Sequence, residues 1–421
     1  MIKKILAGAC LIITTVAFSQ QNNASPYSYY GIGDIKFRGT VENRSMGELG
    51  ILPDSIHVNL QNPAMYSALK FTTYTIGGST SQTNFKTSDA TDKAGRTTFD
   101  YLAVALPFNK VGVAFGIMPY SSVGYRIENV TEDTPSQFRR FTGTGGLNRV
   151  FLGASYKITP KFSAGADFQY NFGDIETRSI VGMPDVGIQY PTREINTSNY
   201  SGISFNIGAV YQTRLNEKYD WVTSASFSPE AELTAKTERT ISTITITTGG
   251  NEVVIDEISQ IMAEDKVKLP SKFTFGTGFG EARKWFAGAE YTFRQSAELG
   301  NRFDNTTADN TAAFETAYKM SLGGYYIPNH NSYNSYFKRM TYRAGFKYEK
   351  TGLVINNESI NDYSVSLGLG FPLSNLGSNL NIGVEMGRRG TTTAGLVEEN
   401  YTNVFISLSI NDKWFAKRRF E

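Results

Sequence analysis

From Leu69 to the C-terminus the chain is a succession of short segments in which apolar residues alternate with small or polar ones. Val111, Val113, Phe115 and Ile117 alternate with Gly112, Ala114 and Gly116. Val365, Leu367, Leu369 and Phe371 alternate with Ser364, Ser366, Gly368 and Gly370. A period of two means a strand whose two faces meet different surroundings. The apolar set is aromatic and β-branched; the other set is too small and polar to pack a protein core. Repeated this often, the pattern predicts a transmembrane antiparallel β-barrel with apolar side chains toward lipid and a polar lumen.

Other properties of the chain bear on that reading. Beyond the N-terminus no apolar run approaches the roughly 20 residues needed to span a membrane as a helix. Charged residues make up 19% of the 421 positions, and aromatics 13%, with 24 Tyr and 28 Phe. Soluble domains carry about 25% charge, so the balance is tilted toward an apolar exterior with aromatic girdles. A net charge of +2 points to no polyanionic partner, and no nucleic acid is expected. Residues 1–19 read as a cleaved signal peptide. Lys3 and Lys4 precede the apolar run Ile5 to Phe18, and Ala17-Phe18-Ser19 is a cleavage site that would leave Gln20 first. A lipidation site at Cys10 is the rival reading, but it would leave only nine residues of signal, with most of the apolar run beyond the cut. Cys10 is the only cysteine, which leaves the exported chain without disulfides or thiolate chemistry. Export and a strand-borne exterior together place the expected site in the outer membrane.

Three regions follow the signal. Residues 20–68 do not alternate and are punctuated by Gly and Pro. They form an irregular N-terminal segment, with a short helical turn expected near Asn62 to Leu69. Residues 69–411 hold about fourteen strands, starting near Leu69, Phe99, Lys110, Leu147, Lys161, Asn199, Lys218, Ser271, Lys284, Glu315, Arg339, Asp362, Asn379 and Tyr401. Short turns at 108–110, 159–161, 215–218, 281–283 and 373–378 alternate with expected long loops at 86–98, 120–146, 174–198, 232–270 and 300–314. That rhythm is the barrel signature of periplasmic turns and outer loops. Ile327 to Phe337, rich in Asn, Ser and Tyr, is too long for the short turn expected there. Ile241 to Ile246 and Val253 to Ile255 flank Gly249-Gly250-Asn251, a hairpin pattern inside the fourth long loop. Residues 412–421 form a basic periplasmic tail that reads equally as an anchor at the inner interface, through Trp414 and Phe415, or as a frayed, solvated end.

With the apolar face outward, the lumen face carries Asp167, Glu290, Arg294, Lys319, Arg343, Lys347, Glu349 and Glu385. Mixed charges in a confined lumen pair with one another. They read either as a wall of compensating ion pairs around a plug, the favoured view, or as a polar eyelet. Catalytic patterns are poor. The histidines are His57 and His330, neither beside a serine on a strand, and both are expected to pack or face solvent. No His/Asp/Glu cluster has metal-site spacing. Thr142-Gly143-Thr144-Gly145-Gly146 is not followed by Lys-Ser/Thr, as a phosphate loop would be, and reads as an outer-loop turn. Neither an enzyme, a cofactor nor a metal is expected.

The sequence Ser45-Met46-Gly47-Glu48-Leu49-Gly50, followed by Asn62-Pro63-Ala64 and then about fourteen strands, resembles the FadL-type outer-membrane transport proteins. The resemblance implies that Gln20 to Ser67 is partly a hatch inside the barrel, with Met46, Gly47, Gly50, Asn62, Pro63 and Ala64 as its motif residues. It also implies passive uptake of hydrophobic compounds such as fatty acids. Some FadL-like barrels instead serve as subunits of secretion or barrel-assembly complexes. The expected partners are therefore outer-membrane lipid, a small hydrophobic ligand, or subunits of such a complex.

Overall fold

In the computed structural model the described residues are 23–131, 135–183, 186, 190–247, 249–295, 312–373 and 377–414. The signal region with Cys10, and Phe415 with the basic tail, lie outside them. The N-terminal segment holds the 3-10 turn Pro26–Tyr29, a short strand β1 (Asp34–Ile35), a helical turn α1 (Val41–Arg44) and the 3-10 turn Pro63–Ala68. Strands β2 (Thr72–Lys86), β3 (Thr91–Phe108), β4 (Val111–Thr131), β5 (Gln137–Lys157), β6 (Phe162–Gly182), β7 (Thr192–Arg214) and β8 (Tyr219–Ser228) follow as an antiparallel meander. Next come β9 (Ala231–Ile246), β10 (Glu252–Ile261) and β11 (Asp265–Leu269), which build outward from the upper half of β7. The meander resumes with β12 (Lys272–Glu281) and β13 (Trp285–Arg294). It ends with β14 (Ala313–Phe314), β15 (Ala317–Tyr326), β16 (Thr341–Ile355), β17 (Glu358–Pro372), β18 (Asn379–Arg389) and β19 (Glu398–Asp412). Without β1, β14 and the β9–β11 excursion, fourteen strands form the wall. It closes where β19 pairs with β2, from Glu398↔Lys86 to Asp412↔Thr72.

Side-chain alternation is inside-out. On β17, Val365 and Leu367 are 54% and 55% exposed, while Ser364 and Ser366 between them are 3% and 2% exposed. Phe168 and Tyr170 on β6 face outward, and Asp167, Gln169 and Asn171 face in. The apolar exterior is thus a belt suited to lipid, and the buried polar side chains belong to the lumen.

The short-end hairpins are tight, and of their two positive-φ residues Asn109 suits that conformation while Arg283 does not favour it. Asn109 and Arg283 take positive φ (59° and 58°) in the tight β3–β4 and β12–β13 turns. Strand lengths on the other side depart from the sequence reading. The stretches 86–98, 120–146 and 174–198, expected as loops, are largely strand, so β4, β5, β6 and β7 run to 21, 21, 21 and 23 residues. Beyond the bilayer neither face of a strand needs apolar cover, so the alternation fades while the backbone ladder continues. The hairpin expected around Gly249-Gly250 is β9–β10, paired from Ile246↔Glu252 to Glu238↔Ile261.

Candidate functional site

The N-terminal segment follows the inner wall almost once around. The backbone N–H of Val41 donates to the Tyr101 hydroxyl on β3 (3.1 Å). Glu42 accepts from Asn381 on β18 (2.6 Å), and the Gly47 N–H donates to Ser366 on β17 (2.9 Å). Gly50 donates to Glu290 on β13 (3.0 Å). Asn62 donates to the carbonyls of Ala225 on β8 (3.1 Å) and Ala209 on β7 (3.2 Å). Pro63 then lies on β6 at Gly165, and Tyr66 on β4 at Gly112. The path of the segment along the wall involves close backbone approach. Gly345 on β16 and Gly323 on β15 face the backbone of Met46 and Gly47 so tightly that a Cβ at either would overlap it. Gly47 itself has φ 68°, a conformation glycine adopts without strain. Asn62 caps the second 3-10 turn by accepting from the Ala64 N–H (3.0 Å).

Of the eight lumen residues read from sequence, five meet this segment directly. Lys319 and Lys347 both reach Glu48 (2.7 and 3.2 Å). Glu385 pairs with Arg44 (3.1 Å), Asp167 with Arg38 (2.6 Å), and Glu290 receives the Gly50 N–H. Arg343 donates to Asn381 (3.0 Å), which in turn holds Glu42, whereas Arg294 donates to the Thr351 carbonyl on the wall (2.6 Å). Glu349 faces the cavity above. Burial raises the Glu48 pKa, yet Lys319 and Lys347 more than offset this and hold it below the usual carboxylate range. The two histidines do not meet. His57 is buried against Asp54 (2.7 Å) and near Glu42 (3.6 Å), and His330 is exposed on the Ile327–Phe337 connection.

The sequence reading missed a break in the wall. β3 and β4 pair only from Phe108↔Val111 to Leu102↔Ile117. Above that point β3 stays with β2 and β4 stays with β5, so the seam between them is unzipped. Two irregularities bracket it. Asp100 is an extra residue in β3 opposite Gly77/Gly78, and Tyr120 is an extra residue in β4 after Pro119. A proline has no N–H for a ladder and confines itself to edges and bulges; Pro119 was the available signal. β1 takes the vacated edge of β4, Asp34↔Ser122 and Ile35↔Ser121. The Lys36 N–H donates to the Tyr120 carbonyl (2.9 Å), and Arg96 crosses from β3 to the Asn23 carbonyl (3.1 Å).

Above the inner ring lies a cavity of about 730 Å³. Phe99, Tyr101, Met118 and Tyr120 from the two lips of the seam line it, together with Phe37, Lys272, Arg294 and Glu349. It therefore joins the lumen to the seam and combines aromatic with charged surface.

The family model described as BamG matches residues 1–421. The chain belongs to the BamG family. Among curated proteins none matches it. Solved structures share the fold of this BamG-family barrel at low identity. The toluene transporter TodX of Pseudomonas putida superposes at TM-score 0.60 with 16% identity, covering 91% of this chain and 100% of that one. A Pseudomonas aeruginosa FadL homologue gives 0.59 and 12%, with 90% and 98% covered. The toluene transporter TbuX of Ralstonia pickettii gives 0.57 and 14%, with 89% and 99% covered. The resemblance to FadL-type proteins thus holds for the fold, while the sequence family is BamG.

Proposed function

We propose that this BamG-family barrel is an outer-membrane route for the passive uptake of small hydrophobic compounds. They enter at the long-strand end, occupy the cavity, and leave sideways into lipid through the seam between β3 and β4. The observation that carries this reading is the continuity of cavity and seam, whose lips are Phe99, Tyr101, Met118 and Tyr120. The ring formed by the N-terminal segment is the hatch of that route and closes the direct path through the lumen. Charged groups on the cavity wall favour compounds with one polar end, fatty acids among them. The likeness in fold to proteins described as toluene transporters is compatible with the passage of hydrophobic compounds. The test is ligand binding by the purified barrel together with uptake by a deletion strain. Absence of any bound apolar ligand, with unchanged hydrophobic uptake after deletion, rejects the proposal.

A second reading, a non-transporting subunit of an outer-membrane complex, is favoured by the β9–β10 hairpin. Ile258 and Ile261 on it are 70% and 85% exposed, on the β9–β11 excursion outside the fourteen-strand wall. Stable stoichiometric partners after mild extraction of native membranes support this reading. A barrel that migrates alone rejects it.

A further inference from the structure

Among the described residues, the connection between β15 and β16 is a short-end connection that forms a structured loop, and neither the cavity nor the seam uses it. It closes on itself: the Asn329 N–H donates to the Lys338 carbonyl (2.8 Å), and Phe337–Arg339 forms a 3-10 turn. Two hydrogen bonds fix where it sits. The Tyr342 hydroxyl donates to the Phe337 carbonyl (3.2 Å), and the Tyr336 hydroxyl donates to the Pro372 carbonyl (3.1 Å). Tyr342 lies on the outer face of β16, opposite the buried Arg343. The loop therefore hangs on the outside of the barrel rim and not across the lumen mouth.

At this rim Trp285, Tyr326 and Tyr342 are successive register partners on neighbouring strands, a continuous outward aromatic row. Aromatic rows of this kind mark the level of lipid headgroups. The loop sets Phe337, 70% exposed, and Tyr333, 99% exposed, beside this row, with the Phe337 carbonyl held by the Tyr342 hydroxyl. Between Ile327 and Met340 there is no Asp or Glu, and Lys338 and Arg339 follow Phe337 directly. The neighbouring turn adds Arg283 and Lys284, with Glu281 paired to Lys284 (3.3 Å) as the local acid. An exposed aromatic side chain followed by Lys338 and by Arg339, whose guanidinium lies over the Tyr336 ring (5.3 Å), and continuous with the lipid-contact belt matches a phosphate-bearing membrane surface.

We propose that the Ile327–Met340 loop is a headgroup-binding foot that docks on anionic phospholipid in the leaflet at the short-turn end. Phe337 enters the acyl region, and Lys338 and Arg339 contact phosphates. This reading is independent of whether the barrel transports anything.

Single-cysteine labelling tests it in the full barrel. Cys10 is the only native cysteine and is replaced by Ser. Nitroxide is attached at Phe337→Cys, at Leu367→Cys as a wall reference facing lipid, and at Asn251→Cys as a reference in water. Accessibility to oxygen and to a nickel chelate is read in vesicles of phosphatidylcholine alone and with phosphatidylglycerol. The foot predicts that Phe337→Cys behaves like Leu367→Cys when phosphatidylglycerol is present. It also predicts that Lys338→Gln with Arg339→Gln lowers the retained phosphatidylglycerol several-fold during delipidation. A label at 337 that stays as chelate-accessible as Asn251→Cys in both vesicles overturns the proposal. So does protection that arises only when membrane protein extract is added, which would make the occupant a protein.

Discussion

Glu48 stands between two lysines that reach it from different strands, so its role is settled by what remains when it is removed. Glu48→Gln leaves Lys319 without its carboxylate, although Lys347 keeps Asp362 (3.1 Å). Removing one partner of a buried ion pair costs about 3–5 kcal/mol, so the variant should unfold at a clearly lower temperature in detergent. Glu128 is the contrast. It meets Arg126 and Arg140 on an exposed strand extension. Glu128→Gln should cost less than about 1 kcal/mol, as exposed pairs do. His57 adds a pH dependence. Burial disfavours its imidazolium, but Asp54 and Glu42 more than offset this and raise its pKa. A raised folded-state pKa contributes stability that is fully present below the ordinary histidine value near 6.5 and fades as pH rises through the folded value. Limited proteolysis of the N-terminal segment should therefore accelerate as pH rises through that window. In His57→Gln the rate should not respond to pH there. None of these pairings was legible in advance. Glu48 and Lys347 are 299 residues apart, and alternation says that a side chain faces inward, not which other one it meets.

At the scale of elements, the seam and the ring are the parts that distinguish this barrel from a plain cylinder. The membrane-spanning part of each strand was readable because lipid imposes a strict period of two there, whereas β3, β5 and β7 begin at Thr91, Gln137 and Thr192, well before the expected Phe99, Leu147 and Asn199. Where the strands leave the bilayer that pressure ends, and the ladder of β4 to β7 continues through residues that look like loop. The seam was signalled only by Pro119, because a bulge changes one residue in a strand and leaves the alternation on either side intact. Locking β1 to the free edge of β4 should show whether the seam is used. Ile35 and Ser121 are register partners, and paired Cα atoms of an antiparallel ladder lie about 4.5–5.5 Å apart, within disulfide reach. Oxidised Ile35→Cys/Ser121→Cys should reduce uptake of an apolar probe, and reduction should restore it. Equal uptake in both states would mean that β1 does not move. Gly345→Val should do the opposite to the ring. Its side chain meets the backbone of Met46 and Gly47, so the N-terminal segment should become protease-sensitive while the barrel band remains intact.

Taken whole, the molecule is a closed wall around its own N-terminus, and the inner ring touches strands on every side of it. This has a consequence for the order of assembly. A segment held by strands all round the wall is more readily laid against an open sheet than wound into a finished cylinder. The β19–β2 edge is therefore expected to zip last, with the ring already laid against a still-open sheet. The ring then acts as a mandrel that sets the circumference before closure. A chain lacking residues 23–69 should reach the heat-resistant closed form more slowly, or with a different strand register. Supplying that segment afterwards as a separate peptide should not rescue it.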